Sequence, residues 1–582
     1  MAVFKTHLGS HWLIKNFYIA QEIFRKVITM SFKKEAINQI NLFADLMEFN
    51  GANRFKINAF RGAANTLRRV DEDIETMLQD GSITDIKGIG KGIQAFLYEL
   101  SDNGMVKELE ELSDSVPEGI IDILQIRGLG VKKVKQIYES LGVKNINDLS
   151  EACLNNKLSE LKGFTVNSEY TILEEIEKQS KNRLFMRYNR AEHLGAQLVN
   201  QLLEFDSCTK AEFTGELRRK MEVISKIEII CTVNDKNNFN SSLDKLYKNN
   251  KLANDKSSDI MQVEIGVNIP IYLILSDEKN YVSDLFSTTG SDEFLENLGN
   301  DKEFDFEDEE KLFKKYNIPF VIPEMREKEY WNTSEKFRTN SNLVKSDFNG
   351  LLHFHTTQSD GANSLLDMAK GALDFGYKYL AVCDHSKSAF YANGLTEERV
   401  IKQKEEIDSV SKELGIKIYH GIESDILKDG SLDYSDEFLN NFNFVVASVH
   451  SIFGLAEDEM TSRIIRAIEN PHTDVLGHPT GRLLLARDSY KLNIKKVIEA
   501  CVSNDVTIEI NASPHRLDLD WRNIYYAREL GCKFAINPDS HSVKGIEETV
   551  FGINIARKGG IQKSEVINCY TEAEFEEYLK RK

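Results

Sequence analysis

Between Phe348 and Lys582 seven short apolar runs alternate with helical patterns, and six of the seven end in, or are closely followed by, histidine or a carboxylate. The runs are Leu351–His355, Tyr379–Cys383, Lys417–Ile422, Phe444–Val449, Asp474–Gly477, Val506–Ile510 and Lys533–Ile536. Strands alternating with helices predict a parallel β/α barrel, whose chemistry sits at the C-terminal strand ends. There the chain reads His353-Phe354-His355 and then Asp360, Asp384-His385, His420-Gly421-Ile422-Glu423, His450, His478, and Asp539-Ser540-His541. A strand's period of two turns His353 and His355 to one side, and likewise Asp539 and His541. One strand histidine is ordinarily a satisfied core or surface residue, but six strand ends aligned at one barrel face are not explained that way. Nine of the 12 histidines fall between His353 and His541.

Imidazole with carboxylate and no thiolate suits Zn²⁺, Mn²⁺ or Fe²⁺. The candidate ligands are His353, His355, Asp360, His385, Glu423, His450, His478, Asp539 and His541. They are too many for one ion and predict two or three divalent ions, Mn or Zn, with Glu423 as bridge. Such clusters bind a phosphate, generate a hydroxide nucleophile and stabilise the leaving oxygen. The residues therefore predict a metal-dependent phosphoesterase.

Ahead of this region the chain is helical from about Lys33 to Arg190, broken by two Gly-x-Gly turns, Gly88-Ile89-Gly90 and Gly128-Leu129-Gly130. A third, near Gly163, has lost its second glycine. Backbone N–H groups at such a turn favour phosphate without reading sequence, and Lys91, Lys132, Lys133 and Lys135 follow closely. A lone turn of this kind is often a plain helix connector; two in helical context predict helix-hairpin-helix DNA binding. Charge restricts how DNA could be held. The net charge is −19, of which residues 1–200 contribute only −1, so the acidic remainder repels a polyanion at long range and contacts must be local or metal-mediated. The 7 cysteines are scattered without a CxxC pair, which excludes a disulfide scaffold and a thiolate zinc ribbon and suits a reducing cytosol. No apolar stretch approaches the roughly 20 residues of a membrane span, and residues 1–30 carry no export signal.

The stretches HFHTTQSDG, VCDHSKSAFYANGLTEER, GIESDI, ASVHS, LGHPTGRLLLARDSY, NASPHRLDLDW and NPDSH resemble the PHP (polymerase and histidinol phosphatase) phosphoesterases, in the version attached to bacterial family X DNA polymerases. The resemblance implies a distorted (β/α)7 PHP barrel with His353, His355, Glu423 and Asp539 around a first metal. It gives Glu423, His450 and His478 to a second, and Asp360, His385 and His541 to a third. Glu423, His355 and Asp539 are the residues expected to carry catalysis. Arg482 and Arg516 fall in matching segments and would clamp the DNA phosphate, unless they are engaged in surface or intrahelical ion pairs.

Residues 31–180, including FKINAFRGAANTLRRV, resemble the corresponding part of the same polymerases. Phe96 stands where lyase members carry a Schiff-base lysine, so lyase activity is not implied. GELRRKMEVISKIEII (215–230) resembles the palm of an α+β nucleotidyltransferase. The palm's Asp pair falls on Lys226 and Glu228 and its third Asp on Tyr272; Glu216 replaces the phosphate-binding Ser, and Ser287-Thr288 replace Tyr-Phe. Two-metal nucleotidyl transfer needs those carboxylates, so the palm reads as a retained scaffold.

The expected multidomain α/β organisation is an extension at 1–30 and a DNA-binding helical domain at 31–115, with Gly88, Gly90 and Lys91. A fingers-like domain at 116–190 follows, with Gly128, Gly130, Lys132 and Lys133. Then come a degenerate palm and thumb at 191–330, a linker at 331–347 and the phosphoesterase at 348–582. Met30 would be the true start, with residues 1–30 dispensable, unless they form an amphipathic helix that packs on the following domain. The expected activity is a cytoplasmic, monomeric, metal-dependent DNA 3′→5′ exonuclease acting in repair on gapped, 3′-ended or single-stranded DNA, with cleavage at abasic sites as an added possibility. The rivals are a small-molecule phosphomonoesterase of histidinol-phosphatase type, which has no use for helical hairpins, and a non-catalytic DNA-binding scaffold, which has no use for nine intact ligands.

Overall fold

The structure, a computed structural model, describes residues 32–70, 74–246, 251–252, 259–298 and 308–581. The 1–30 extension lies outside these residues, as do residues 301–307 of an acidic run, Asp301–Glu310, within the expected palm and thumb. Among those described, no helix is long and apolar enough to cross a membrane. The chain divides into two units, Met1–Leu184 and Phe185–Lys582.

The first unit is helical, with α1 (Phe32–Phe49), α2 (Arg54–Arg69), α3 (Lys91–Asn103) and α4 (Val131–Leu141) among its elements. α1 buries Ala36, Ile40, Phe43, Ala44 and Met47, one stripe at helical spacing. Asn53 caps α2, its side chain accepting from the Phe55 N–H. Phe96 packs on Phe43 and Phe60, with ring centroids 5.2 and 5.6 Å away, so the position of the lyase lysine is filled by core.

The second unit opens with helix α5 (Tyr188–Leu203) and strands β1 (Cys208–Phe213), β2 (Ile227–Val233), β3 (Lys251–Leu252), β4 (Ile260–Val263) and β5 (Ile271–Ser276), in sheet order β1-β2-β5-β4-β3. Residues 223–233 form two separate strands. Val223–Ile224 pairs with Met186–Arg187, whereas β2 runs through the sheet and pairs in parallel with β5.

The barrel strands are β6 (Gly350–Leu351), β7 (Tyr379–Val382), β8 (Lys417–Asp425), β9 (Phe444–Ser448), β10 (Val475–Leu476), β11 (Thr507–Asn511) and β12 (Phe534–Asn537). All seven pair in parallel in chain order, and the parallel bridge Phe354↔Ser540 joins the two edges, so the barrel is nearly closed. The crossovers contain α6 (Leu365–Asp374), α7 (Glu397–Leu414), α8 (Glu457–Ile468), α9 (Ile494–Ser503) and α10 (Trp521–Glu529), and α11 (Thr549–Lys558) follows β12. With helices outside, β9, β11 and β12 are buried at every position, hence the nearly continuous apolar character of β9 and β12, while β11 buries Glu509 and Asn511 among its apolar residues. At nine residues β8 is long enough to carry Glu423 to the strand-end face.

One apolar core runs from Phe286, Phe313 and Met325 into Ile508, Ile524 and Ile553 of the barrel. Ion pairs cross the same seam. Lys558, with no exposed side chain, donates to Glu327 Oε1 at 2.7 Å and to the carbonyls of Arg219 and Glu324 at 3.1 Å. Glu222 accepts from Trp521 Nε1 at 3.0 Å and Arg522 Nη1 at 2.6 Å. The stretch 331–347, expected as a linker, is packed. Ser341 and Leu343 are buried, the Ser334 N–H donates to Glu529 at 3.1 Å, and Gln562 donates to the Asn340 carbonyl at 3.2 Å. Its polar side chains and backbone bond to neighbours, an anchoring that hydrophobic periodicity does not register.

Candidate functional site

The nine candidate ligands converge at the C-terminal ends of the barrel strands. Glu423 lies at their centre. Its Oε1 is 3.1 Å from His478 Nε2, 3.2 Å from His450 Nε2 and 3.6 Å from His353 Nε2. Its Oε2 is 2.9 Å from His385 Nδ1 and 3.7 Å from His355 Nε2. Asp539 Oδ1 is 2.9 Å from His355 Nε2, and Asp360 Oδ1 is 3.3 Å from His541 Nε2 and 3.6 Å from His385 Nε2. Three sets bring one donor atom from each member within 4.8 Å of the others: His353/His355/Asp539, His385/Glu423/His450 and His355/Asp360/His385/His541. His355 and His385 each reach two sets, where the family resemblance gives each to one. His420, three residues before Glu423, faces the other way and lies 3.2 Å from Gln403.

The sequence folds this way because the ligands terminate or follow buried strands. His353 and His355 share one side by the period of two. Asp539 and His478 hold their side chains on backbone with φ of 51° and 23°, a left-handed geometry that non-glycine residues seldom adopt. Gly361 packs so closely that a Cβ there would lie 2.7 Å from the His355 backbone, which fixes the loop carrying Asp360.

Further acids orient the imidazoles. His353 Nδ1 lies 2.7 Å from Glu509 Oε1, and His450 Nδ1 lies 2.5 Å from Asp425 Oδ1. Asp384 accepts from the Thr356 N–H at 2.8 Å and from Gln403 at 2.6 Å, shaping the loop after His355. These carboxylates were absent from the sequence-based site. Glu509 was the readable one, since an acid inside the run Thr507-Ile508-Glu509-Ile510 of a buried strand must have an inward partner.

Electrostatics fit cations. Burial raises the Glu423 carboxyl, yet His450, His385 and His353 together hold it well below its usual range. Burial depresses His450, and Glu423 and Asp425 outweigh that to bring it to about 10. Burial and the neighbouring His541 and His385 push His355 down to about 3, leaving it a neutral donor. Among the described residues, the buried atoms His353 Nε2, His355 Nδ1 and His478 Nδ1 have no hydrogen-bond partner, and His385 Nδ1 and Glu423 Oε2, though 2.9 Å apart, make no aligned hydrogen bond. Buried polar atoms left in this state call for a ligand, and imidazole nitrogen with carboxylate oxygen is the donor set that borderline divalent ions take. The residues fit the group.

Arg482 and Arg516 differ. The Arg482 guanidinium is taken up by Asp520 and the carbonyls of Arg516 and Leu517, so it braces the loop and is engaged before any phosphate arrives. Arg516 Nη1 is buried without a partner among the described residues, and Arg516 is near enough to His478 to depress its pKa alongside burial.

In the helical unit Gly88 and Gly128 adopt φ of 103° and 89°, and Gly90 and Gly130 cap α3 and α4. Cβ atoms added at Gly90, Gly128 or Gly130 would meet nothing within 4 Å, so the turns face open space. Lys91, Lys132 and Lys133 are exposed beside them.

On the palm-like sheet, β2 and β5 set Glu228 directly opposite Tyr272, and Lys226 donates to Glu228 Oε1 at 2.7 Å. The three positions expected from the polymerase motif are thus neighbours, occupied by an ammonium, a carboxylate and a phenol. Glu216 accepts from the Ser225 N–H at 2.6 Å and from its hydroxyl at 2.9 Å.

Two family models match: a helix-hairpin-helix domain over residues 32–105 and a PHP domain over residues 352–513. A Bacillus subtilis protein described as DNA polymerase/3′-5′ exonuclease PolX is 32% identical over 576 residues, covering 94% of this chain and 99% of that one. Proteins described as "probable phosphatase" from Thermoanaerobacter sp. (strain X514) and Acetivibrio thermocellus are 28% and 29% identical over 40% of this chain and 94% of theirs.

Proposed function

This chain belongs to the PolX family of family X-like proteins, with a helix-hairpin-helix domain and a C-terminal PHP domain, and from that premise we propose that it is a metal-dependent DNA 3′→5′ exonuclease without polymerase activity. The observation that carries the reading is Glu423 enclosed by five imidazoles while its Oε2 and several ring nitrogens make no aligned hydrogen bond. Divalent ions held by the nine ligands would bind the scissile phosphate and activate water for in-line displacement. The protein's own part is positional. Glu509 and Asp425 fix the ring orientations of His353 and His450, and Glu423 stands among five of the imidazoles that would hold the ions. Arg516 offers an unpaired N–H to a phosphate oxygen. The turns at Gly88–Gly90 and Gly128–Gly130, with Lys91, Lys132 and Lys133, would hold the DNA backbone without reading its sequence. The absence of polymerase rests on Lys226 and Tyr272, which supply no carboxylate, and on Glu228, whose charge Lys226 already neutralises.

The test is purified protein with Mn²⁺ offered a 3′-recessed duplex, single-stranded DNA and histidinol phosphate. Stepwise shortening from the 3′ end is expected. Hydrolysis of histidinol phosphate alone would favour a phosphomonoesterase, the reading that the phosphatase relatives suggest for the barrel; turnover of none of the three would favour a DNA-binding scaffold.

A further inference from the structure

Beside the metal ligands the loop after β7 exposes two aromatic rings. Phe390 and Tyr391 are 89% and 69% exposed, whereas the flanking Ala389, Ala392 and Leu395 are buried. An isolated surface phenylalanine needs no explanation, but these two sit on a loop fixed at both ends. The Ser388 N–H donates to Asp433 at 2.6 Å, and the Ser388 hydroxyl donates to Asp425 at 2.7 Å. Arg399 donates to the carbonyls of Asn393 at 2.8 Å and Gly394 at 3.1 Å. A Cβ at Gly394 would come within 1.9 Å of the Ser386 carbonyl, so the loop closes on itself with no room to swing. The rings are therefore presented rather than left loose.

The location of Tyr391 gives the loop a purpose. The Tyr391 ring centroid lies 6.1 Å from that of His385 and 6.4 Å from that of His450, two of the candidate ligands. Partial desolvation and the charges of Asp425, Glu423 and Asp360 push the Tyr391 phenol above its usual range, with Arg516 opposing, in keeping with its place beside the ligands. A phosphodiester at the ligands would carry its flanking base about one ring away, where a planar apolar face is waiting. Every nucleobase has a π-face, so stacking there would accept any sequence while rejecting small phosphate esters that lack a base.

Resting on the nuclease reading, we propose that Tyr391 forms a stacking shelf for the 3′-terminal base, making it a positioning residue that selects a polynucleotide end. The sequence Ser388-Ala389-Phe390-Tyr391-Ala392-Asn393 fits that role. Small buried residues anchor it, Asn393 takes the left-handed turn at φ 55°, and the two aromatics project between them.

The test uses the full chain, a 3′-labelled oligothymidylate, and the same oligonucleotide with a base-less tetrahydrofuran residue at its 3′ end. Tyr391→Ala is expected to raise KM for the normal oligonucleotide about five- to a hundred-fold with kcat changed less than about threefold, the range that loss of one base stack gives. Tyr391→Trp should keep KM near wild type. On the base-less oligonucleotide, wild type and Tyr391→Ala should have matching KM values. Equal KM on the normal substrate, or an equal loss on both substrates, would overturn the shelf. Wild-type protein that shortens neither oligonucleotide would overturn the nuclease reading itself, and the shelf with it.

Discussion

Glu423 in the barrel and Glu228 on the palm-like sheet are both nearly buried carboxylates on strands within one unit, yet they are in opposite states. Around Glu423 stand imidazoles whose ring nitrogens include several with no partner. Beside Glu228 stands Lys226, 2.7 Å away, and opposite it Tyr272, which brings no charge. The first arrangement stores unmet coordination; the second is internally neutral. A charged site poised for ions is thus recognised by what its atoms lack, and an acidic residue count does not separate the two.

The comparison breaks most easily at Glu423. Glu423→Ala should reduce hydrolysis to background and lower metal content per chain, measured by elemental analysis, while DNA binding stays nearly intact. Full activity with full metal content would remove the residue from the site.

The palm-like segment should respond in stability instead. Glu309 joins Arg218 at 2.8 Å and the wholly buried Arg326 at 2.5 Å. Burial raises its carboxyl, but the two guanidinium groups outweigh that and hold it at about 2. A depressed carboxylate stabilises the fold above its ordinary pKa and loses that contribution as pH falls from about 4.5 toward 2. Glu309→Gln should cost about 3–5 kcal/mol by denaturant unfolding at neutral pH, because Arg326 keeps its charge without its partner. Its penalty relative to wild type should shrink across that acid window. A pH-independent difference would refute the pairing.

Glu509→Gln tests the layer behind the ligands. Loss of an orienting acid should lower activity or metal affinity about 10- to 100-fold, well short of the Glu423→Ala effect. Smaller still, Lys132→Ala/Lys133→Ala should reduce the salt slope of DNA binding by up to about two units, one for each phosphate that a lysine no longer neutralises. Gly130→Ala is a clean companion, since its backbone is ordinary and the new methyl would meet no protein atom within 4 Å. Weaker DNA binding by that variant would report ligand approach rather than misfolding. At the zero end of the scale, Glu423→Ala protein should extend no primer across a one-nucleotide gap; incorporation there would end the contrast between the two carboxylates.

What the sequence discloses follows from periodicity. His353-x-His355 and the seven apolar runs were legible because strand period and strand burial leave a trace in residue order. β1 left little trace, since Cys208-Thr-Lys-Ala-Glu-Phe213 is half exposed and weakly apolar. Asp425 and Asp384 were unreadable as orienting groups because a neighbouring acid looks the same whether it meets an imidazole or water. Arg482 shows the same limit. Its sequence context suited a phosphate, and only its contacts with Asp520 and the loop carbonyls reveal the bracing role.

Lys558 carries a consequence for how such a gene can change. Its ammonium is enclosed, and the three oxygens that satisfy it come from Arg219, Glu324 and Glu327, upstream of the barrel. A descendant that shed those residues would inherit an unanswered cation in an apolar interior, at a cost of several kcal/mol. Selection for foldability can therefore preserve the upstream segment with no demand on its chemistry, and the barrel is not a cassette that can be transplanted from this chain without also replacing that lysine.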